Sequence, residues 1–480
     1  VATAEILGPI AAVQRFSTQK EAVARANDTE FGLAGHVFTE SLDRAFDVAD
    51  SLATGIVGIN QGVPSNAAAP FGGMKESGRG RERSAEGLED TRKPASTTWR
   101  CAALTDPQSH FRWAATTEKV NMTIAVTAAV LREINAPFQF ETLTLDALRP
   151  DEVLLRIVAV GLCHTDLAVQ HGHLRQTLPL VAGHEGSGVI ADCGAAVRGV
   201  AVGDRVVISF SACGGCENCL TGRQAYCLDF GALNFSGARA DESLTLRDGS
   251  GQPVHGSFFG QSSFATYSIA RASDVVKLPD DASLEIAGPL RCGLQTGAGT
   301  VLNTLAVPAG AAVAVAGAGS VGLAAIMAAK VTGATTIVAV DVIPERLELA
   351  KSVGATHVIN GKEEDTAARI GEISGGGVPF AIDTTGSAPV ITELLQATTL
   401  GGKVALVGVA RPGSTLDLDM LSAAGRTVIG VYQGDAVPQR FIPRLLALHA
   451  AGQFPFDRLI TQYRFDQIED AITDTHSERR

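Results

Sequence analysis

Two patterns of cysteine and histidine constrain this chain more than any other feature, because each obliges several side chains to meet around one metal ion. The crowded pattern is Cys213-Gly214-Gly215-Cys216-Glu217-Asn218-Cys219, followed by Cys227. Four thiolates in so short a segment make a closed tetrahedral zinc site of the structural kind. The competing reading is a disulfide knot, a feature of small secreted chains. With 480 residues and no other mark of that class, this chain does not fit it. The dispersed pattern is Cys163 followed by His164-Thr165-Asp166, then Gly183-His184-Glu185, then Cys292-Gly293. Two thiolates and an imidazole from distant segments leave a fourth position open, which is how a catalytic zinc is held. Each of these residues alone reads as an ordinary buried Cys or His; the weight lies in the pattern.

A nucleotide fold is written further along. Residues 312–315 read as a buried strand, and 323–330 as a helix, with Gly317-Ala318-Gly319-Ser320-Val321-Gly322 between them. A second apolar strand over 337–340 ends at Asp341. Strand, glycine turn, helix, strand and acid together form the dinucleotide fingerprint in its required setting. Gly317 permits the tight turn, Gly319 lets backbone approach a pyrophosphate, and Gly322 lets the helix pack on the strand. The helix N-terminus then faces the phosphates. Asp341 can accept hydrogen bonds from both adenosine ribose hydroxyls and would repel a 2′-phosphate, which favours NAD over NADP.

The run 311–329 has no charge and is long enough to suggest a membrane span, but its three glycines argue for the turn instead. A formal net charge of −12 leaves no basic face for nucleic acid. The length suits three units, and metal-type cysteines in so long a chain imply a reducing, cytoplasmic setting. No signal peptide and no short repeat are visible. Strand and helix alternate from about 312 to 430, and 122–289 reads as β-rich, so the class is α/β.

From Met122 onward the chain resembles the zinc-containing medium-chain alcohol dehydrogenases. The resemblance rests on Gly161-Leu162-Cys163-His164-Thr165-Asp166, Ala182-Gly183-His184-Glu185-Gly186, the four-cysteine lobe, Pro289-Leu290-Arg291-Cys292-Gly293-Leu294-Gln295-Thr296-Gly297 and the glycine fingerprint. The stretch Pro253-Val254-His255-Gly256-Ser257-Phe258-Phe259-Gly260-Gln261-Ser262-Ser263-Phe264 is similar to the aryl-alcohol (benzyl-alcohol) branch. The resemblance implies a GroES-like catalytic domain with a structural zinc lobe over 122–292. It implies a Rossmann NAD-binding domain over 293–430 and a return to the catalytic domain over 431–480. It further implies oxidation of a primary, aromatic alcohol to the aldehyde with hydride transfer to NAD, by a homo-oligomer.

Site roles follow from the same resemblance. Cys163, His184 and Cys292 would hold the catalytic zinc, with Glu185 as a neighbouring acid that can also approach it. Cys213, Cys216, Cys219 and Cys227 would hold the structural zinc. Asp166 would orient His184 through its far ring nitrogen. Thr165 would take the proton from the alcohol, and His164 would lie against the cofactor pyrophosphate. Arg346 would sit near the adenosine ribose bound by Asp341, with Gly317, Gly319 and Gly322 at the phosphates. Where a family relay places a histidine past the relay hydroxyl, this chain has Ala168, so water, the ribose hydroxyl or one of His171 and His173 must end the relay. The chain stops where the family continues through one more short strand carrying a basic cofactor contact, an expected truncation at the C-terminus.

Residues 1–95 resemble the final fifth of an aldehyde dehydrogenase of the succinate-semialdehyde branch. The similarity lies in Glu5-Ile6-Leu7-Gly8-Pro9-Ile10, Asn27-Asp28-Thr29-Glu30-Phe31-Gly32-Leu33, Gly55-Ile56-Val57-Gly58-Ile59-Asn60 and Pro70-Phe71-Gly72-Gly73-Met74-Lys75-Glu76-Ser77-Gly78. No cysteine precedes Cys101, so this segment has no nucleophile, and Leu7 stands where a Phe is usual. A polar linker over 96–121 follows, with Cys101 expected as a surface thiol. The chain begins with Val1, and a joined product of two neighbouring dehydrogenase genes or a truncated reading frame is the simplest account. Three readings follow: an alcohol dehydrogenase with an inert extension, a bifunctional alcohol and aldehyde dehydrogenase, and an alcohol dehydrogenase whose N-terminal module docks an intact aldehyde dehydrogenase.

Overall fold

The computed structural model describes residues 15–39, 41–60, 72–77 and 124–476. Glu5, Leu7, Cys101, Met122, the linker 96–121 and the tail 477–480 lie outside the described residues. The chain divides into two units, Val1–Ala115 and Thr116–Arg480.

In the first unit, helix Gln19–Asn27 is capped by the Thr18 hydroxyl, which accepts from the Glu21 amide at 3.2 Å. Strand Ala34–Val37 pairs in parallel with Ile56–Ile59, with helix Leu42–Ser51 between them in sequence. This is one βαβ step. The short strands Phe31–Gly32 and Met74–Lys75 pair antiparallel. Val37 and Ala45 are the apolar side chains fully covered here among the described residues, while Phe16, Phe38 and Phe46 are exposed. So small a buried set gives the described part of this unit little core of its own.

The second unit is α/β, with two antiparallel sheets and one parallel sheet. One antiparallel sheet orders Tyr267–Arg271, Glu152–Gly161, Glu185–Cys193, Arg205–Ile208 and Val275–Lys277; the other is centred on Ile124–Leu131 and Gln139–Leu145. The parallel sheet runs His357–Asn360, Thr336–Asp341, Ala312–Ala316, Val378–Asp383, Thr398–Leu406, Thr427–Gly430. Numbered from Ala312–Ala316, that order is 3-2-1-4-5-6, the doubly wound arrangement whose reversal point lies at the first strand. The uncharged run at 311–329 resolves into strand Ala312–Ala316 and helix Ser320–Thr332, which starts three residues ahead of the expected 323. Among the described residues no helix is long and apolar enough to cross a membrane.

The core shows how the parts are tied. Val313, Val315 and Ile326 share one apolar cluster with Leu290, Leu294, Phe441, Ile442 and Leu445. Helix Pro438–Ala450 packs against strand Val275–Lys277 of the antiparallel sheet and against helix Gly293–Gly299. Ile468 and Ile472, by contrast, join the cluster of Val130, Leu143 and Phe264 in the antiparallel part. The Phe138 amide donates to Glu469 at 2.8 Å, fixing that last helix to the same part.

Candidate active site

Short local devices set each ligand. Cys163 precedes helix His164–Gln170, His184 immediately precedes strand Glu185–Cys193, and Cys292 precedes helix Gly293–Gly299. Gly183 has φ +82°, and a Cβ there would come within 2.5 Å of Phe264. Only glycine lets the chain turn so that His184 points inward. A Cβ at Gly161 would stand 2.0 Å from the Glu185 carboxylate. Helix Gly293–Gly299 meets helix Ser320–Thr332 so closely that a Cβ on Gly297 would lie 1.9 Å from the Val321 carbonyl oxygen. That approach brings Cys292 beside the glycine turn.

The outcome is that the ligand atoms of Cys163, His184, Glu185 and Cys292 all lie within 4.8 Å of one another. Asp166 is fully buried and organises the group. One of its oxygens accepts from His184 Nδ1 at 3.0 Å and from the Gly183 amide at 3.1 Å, and the other accepts from the Cys163 amide at 3.1 Å. With Nδ1–H so engaged, Nε2 presents its lone pair. That Nε2 is buried and has no hydrogen-bond partner among the described residues. Its ring stacks on Phe259, with centroids 4.8 Å apart at 27°.

The electrostatics of the group suit a cation. Burial works against a charged His184, yet Asp166 and Cys163 raise it to about 10. Burial, then the Cys163 charge, pushes Glu185 up to about 7. Hydrogen bonding with Cys292 holds Cys163 well below the usual thiol range, and the same bond drives Cys292 upward. A dication bound there would take the place of a proton on His184 Nε2 and favour the charged forms of Cys163, Cys292 and Glu185. An orphaned imidazole nitrogen, two thiols and a carboxylate converging in a covered site suit zinc.

The second group, Cys213, Cys216, Cys219 and Cys227, also has its sulfurs within 4.8 Å of one another, and all four are free thiols. The Cys213 amide donates to Cys227 Sγ at 3.2 Å, and the Cys216 amide to Cys213 Sγ at 3.3 Å. Backbone donors around sulfur favour thiolate. Cys193, half-buried, stands outside both groups.

A cleft of about 410 Å³ opens at the turn after strand Ala312–Ala316, lined by Gly317, Gly319, Ser320, Asp341, Arg346 and Thr385, among others. Gly317 has φ +90°, and a Cβ on Gly322 would meet the Gly317 oxygen at 1.7 Å; a Cβ on Gly319 would meet nothing within 4 Å and would project into open space. Asp341 is held by the amides of Ala318, Val342 and Ile343 at 2.6, 2.7 and 3.0 Å.

The remaining expected residues fall as follows. Thr165 is half-buried, its Oγ1 3.7 Å from Cys163 Sγ. His164 is exposed in the first turn of its helix. The His171 Nδ1–H donates to the Leu167 carbonyl at 2.9 Å, and its ring stacks on His173. Three side chains at the site went unassigned in the sequence. Phe259 lies within the stretch 253–264, which the sequence offers only as a resemblance. Tyr432, 38% exposed, packs edge-on against Phe230 at 4.9 Å, and burial, then the neighbouring Cys292, pushes its hydroxyl up to about 12. Arg291, beside a metal-type cysteine, is completely buried. A lone arginine in the apolar run 286–294 was the available signal.

Comparison with known proteins agrees with this geometry. The alcohol dehydrogenase GroES-like domain family matches residues 149–280, the zinc-binding dehydrogenase family 320–450, and the aldehyde dehydrogenase family 1–95. Geraniol dehydrogenase of Castellaniella defragrans is 45% identical over 352 residues, 73% of this chain and 94% of that one. Among solved structures, an alcohol dehydrogenase zinc-binding domain protein from Burkholderia ambifaria is 50% identical, with TM-score 0.73, over 74% of this chain and 96% of that one. Benzyl alcohol dehydrogenase from Acinetobacter calcoaceticus is 45% identical, with TM-score 0.71, over 73% and 96%. By this likeness across nearly three-quarters of its length, the chain belongs to the zinc-type medium-chain alcohol dehydrogenases and is an oxidoreductase.

Proposed function

We propose that this enzyme oxidises a primary, aromatic alcohol to its aldehyde and delivers the hydride to NAD. The observation that carries the reading is the buried, unpartnered Nε2 of His184 facing Cys163, Cys292 and Glu185. Cys163, His184 and Cys292 are assigned the catalytic zinc, with Glu185 at its side, and the four-cysteine lobe the structural zinc. Zinc bound there would supply Lewis-acid polarisation of the alcohol oxygen. Asp166 keeps His184 in the tautomer that donates Nε2 to the metal. Thr165, close to Cys163 Sγ, takes the alcohol proton and passes it toward solvent. NAD in the cleft would accept the hydride, with Asp341 and Arg346 holding its ribose and the glycine turn its pyrophosphate. His164 is assigned to the pyrophosphate as well. Domain limits of 122–292, 293–430 and 431–480, a homo-oligomeric state and a cytoplasmic location complete the reading.

Support for an aromatic substrate comes from ring-bearing residues linked to the metal cluster. Phe259 touches His184, Phe235 lies 5.1 Å from Phe259, and Phe230 connects Phe259 to Tyr432. Benzyl alcohol, geraniol and ethanol compared by NADH formation, with zinc content measured on the same preparation, test it. Aromatic alcohol should give the highest kcat/KM; turnover of ethanol equal to or above that of benzyl alcohol refutes the substrate class.

A further inference from the structure

Three consecutive residues, Gln433, Gly434 and Asp435, take left-handed backbone at φ +52°, +65° and +50°. Residues other than glycine rarely adopt that region, and it persists only where the surroundings hold it. The surroundings come from two parts of the unit. On one side, helix Gly293–Gly299 and the turn Thr300–Thr304 after it grip the segment. Gln295 Nε2 donates to Gln433 Oε1 at 3.0 Å, Asn303 Nδ2 to the Gly434 carbonyl at 3.0 Å, and Thr304 Oγ1 to Asp435 Oδ2 at 2.7 Å. A Cβ on Gly434 would lie 2.4 Å from the Gln295 carbonyl oxygen, so the two backbones touch. On the other side stands Tyr226, which ends the short helix Gln224–Tyr226 just before Cys227 of the four-cysteine lobe. Its hydroxyl donates to Asp435 Oδ1 at 2.5 Å and accepts from the Tyr432 amide at 3.4 Å. The lobe sets Tyr226 in turn. Asn218 Nδ2, between Cys216 and Cys219, donates to its carbonyl at 2.7 Å, and Arg223 lies 5.1 Å from its ring centroid.

We infer that Tyr226 is a positioning residue for the substrate site: through Asp435 it holds the left-handed turn that sets the Tyr432 ring against Phe230, and so fixes one wall for an aromatic alcohol. This rests on the substrate reading above. The Tyr432 ring lies 4.9 Å from Phe230, and Phe230 leads through Phe259 to His184. Helix Gly293–Gly299, which grips the same turn, begins directly after Cys292. A ring as open as Tyr432 has little packing to orient it, so the backbone of the turn that follows must do so. Tyr226 lends no group to the substrate and acts through that turn. The four-cysteine lobe thereby braces the substrate wall besides gathering its own thiols.

The test uses the full chain as wild type, Tyr226→Phe, Tyr432→Leu and the double variant. It reads kcat and KM for benzyl alcohol and for ethanol, the Kd of benzyl alcohol with NADH bound, where no turnover follows, and zinc content. Tyr226→Phe is expected to raise both KM and Kd for benzyl alcohol about 10-fold, within the range that displacing a positioning contact carries. Its kcat and zinc content should stay as in wild type, the split that marks lost binding common to ground and transition states. Ethanol, too small to rest on the ring, should be unaffected. Tyr432→Leu should repeat the pattern, and the double variant should be no worse than either, because both changes act on one ring. Asp435→Asn keeps an acceptor for Tyr226 and suits left-handed backbone, so it should remain near wild type. Thr304→Val, which removes the other donor to the same carboxylate, stands in if Tyr226→Phe does not fold. Unchanged KM and Kd in Tyr226→Phe overturn the inference, and so does additive loss in the double variant. Equal loss for both alcohols with a fall in kcat would mark a merely structural contact and overturn it too. A wild type that prefers ethanol refutes the substrate class instead, which separates the two failures. The inference then holds if Tyr226→Phe and Tyr432→Leu weaken benzyl alcohol binding to the same extent, and falls if they do not.

Discussion

Asp166→Asn is the most exacting test of how the metal site is built, because it changes one atom at a position with no exposure. The aspartate accepts three hydrogen bonds, two on one oxygen and one on the other. An asparagine that keeps its oxygen toward His184 and Gly183 turns its amide toward the Cys163 N–H, a donor facing a donor. A buried amide left without an acceptor costs about 1–3 kcal/mol. The two surviving bonds change from charge-assisted to neutral, which weakens each by about 1 kcal/mol. The opposite rotamer is worse, since its NH2 then faces His184 Nδ1 and forces the proton onto Nε2, the atom needed as ligand. The total lies near 3–5 kcal/mol of folding stability, and affinity for the first zinc should fall about 10–100-fold. Thermal unfolding reads the first quantity, and competition with a chromogenic chelator reads the second. The zinc of the four-cysteine lobe should stay bound and serves as an internal control. If Asp166→Asn holds its first zinc as tightly as wild type, Asp166 does not set the imidazole, and the reasoning fails.

Three further outcomes are expected. Cys163→Ser should abolish alcohol oxidation and lower metal content from about two zinc ions per chain toward one, with the fold retained; full activity would dismiss Cys163 as a ligand. Asp341→Ala should weaken NAD binding and narrow the preference over NADP, since it removes the ribose acceptor and a repulsive charge together; a wild-type enzyme that already prefers NADP contradicts this role. A chain beginning at Met122 should keep alcohol oxidation and both zinc ions, because every proposed ligand lies after that point. Loss of activity on that shortening, or oxidation of aldehyde to acid by the full chain, would reopen the bifunctional reading.

What could be read in advance depended on how local each physical demand is. The glycine fingerprint was legible because its requirements are met within a few residues: a positive φ at Gly317, open space at Gly319, a carbonyl against Gly322. The four-cysteine lobe was legible for the same reason. The dispersed ligands were a harder case. Cys163, His184 and Cys292 could be suspected from their motifs. Their convergence, however, depends on Gly183 beside Phe264 and on Gly297 against the Val321 carbonyl, contacts that no short window of sequence displays.

The aromatic stretch 253–264 shows what such a window hides. It invites reading as the wall of a substrate pocket, yet Phe258, Phe259 and Phe264 are covered, and two of them pack on His184. The less covered rings, Phe235 and Tyr432, come from segments almost two hundred residues apart, joined through Phe230. A phenylalanine that buttresses a ligand and one that lines a pocket have the same letter and the same hydropathy; only burial distinguishes them. Arg291 is the sharper instance. In sequence a single arginine between Leu290 and Cys292 reads as a side chain that reaches for water. In the fold it is completely buried, with its Cζ 4.8 Å from the centroid of Phe259.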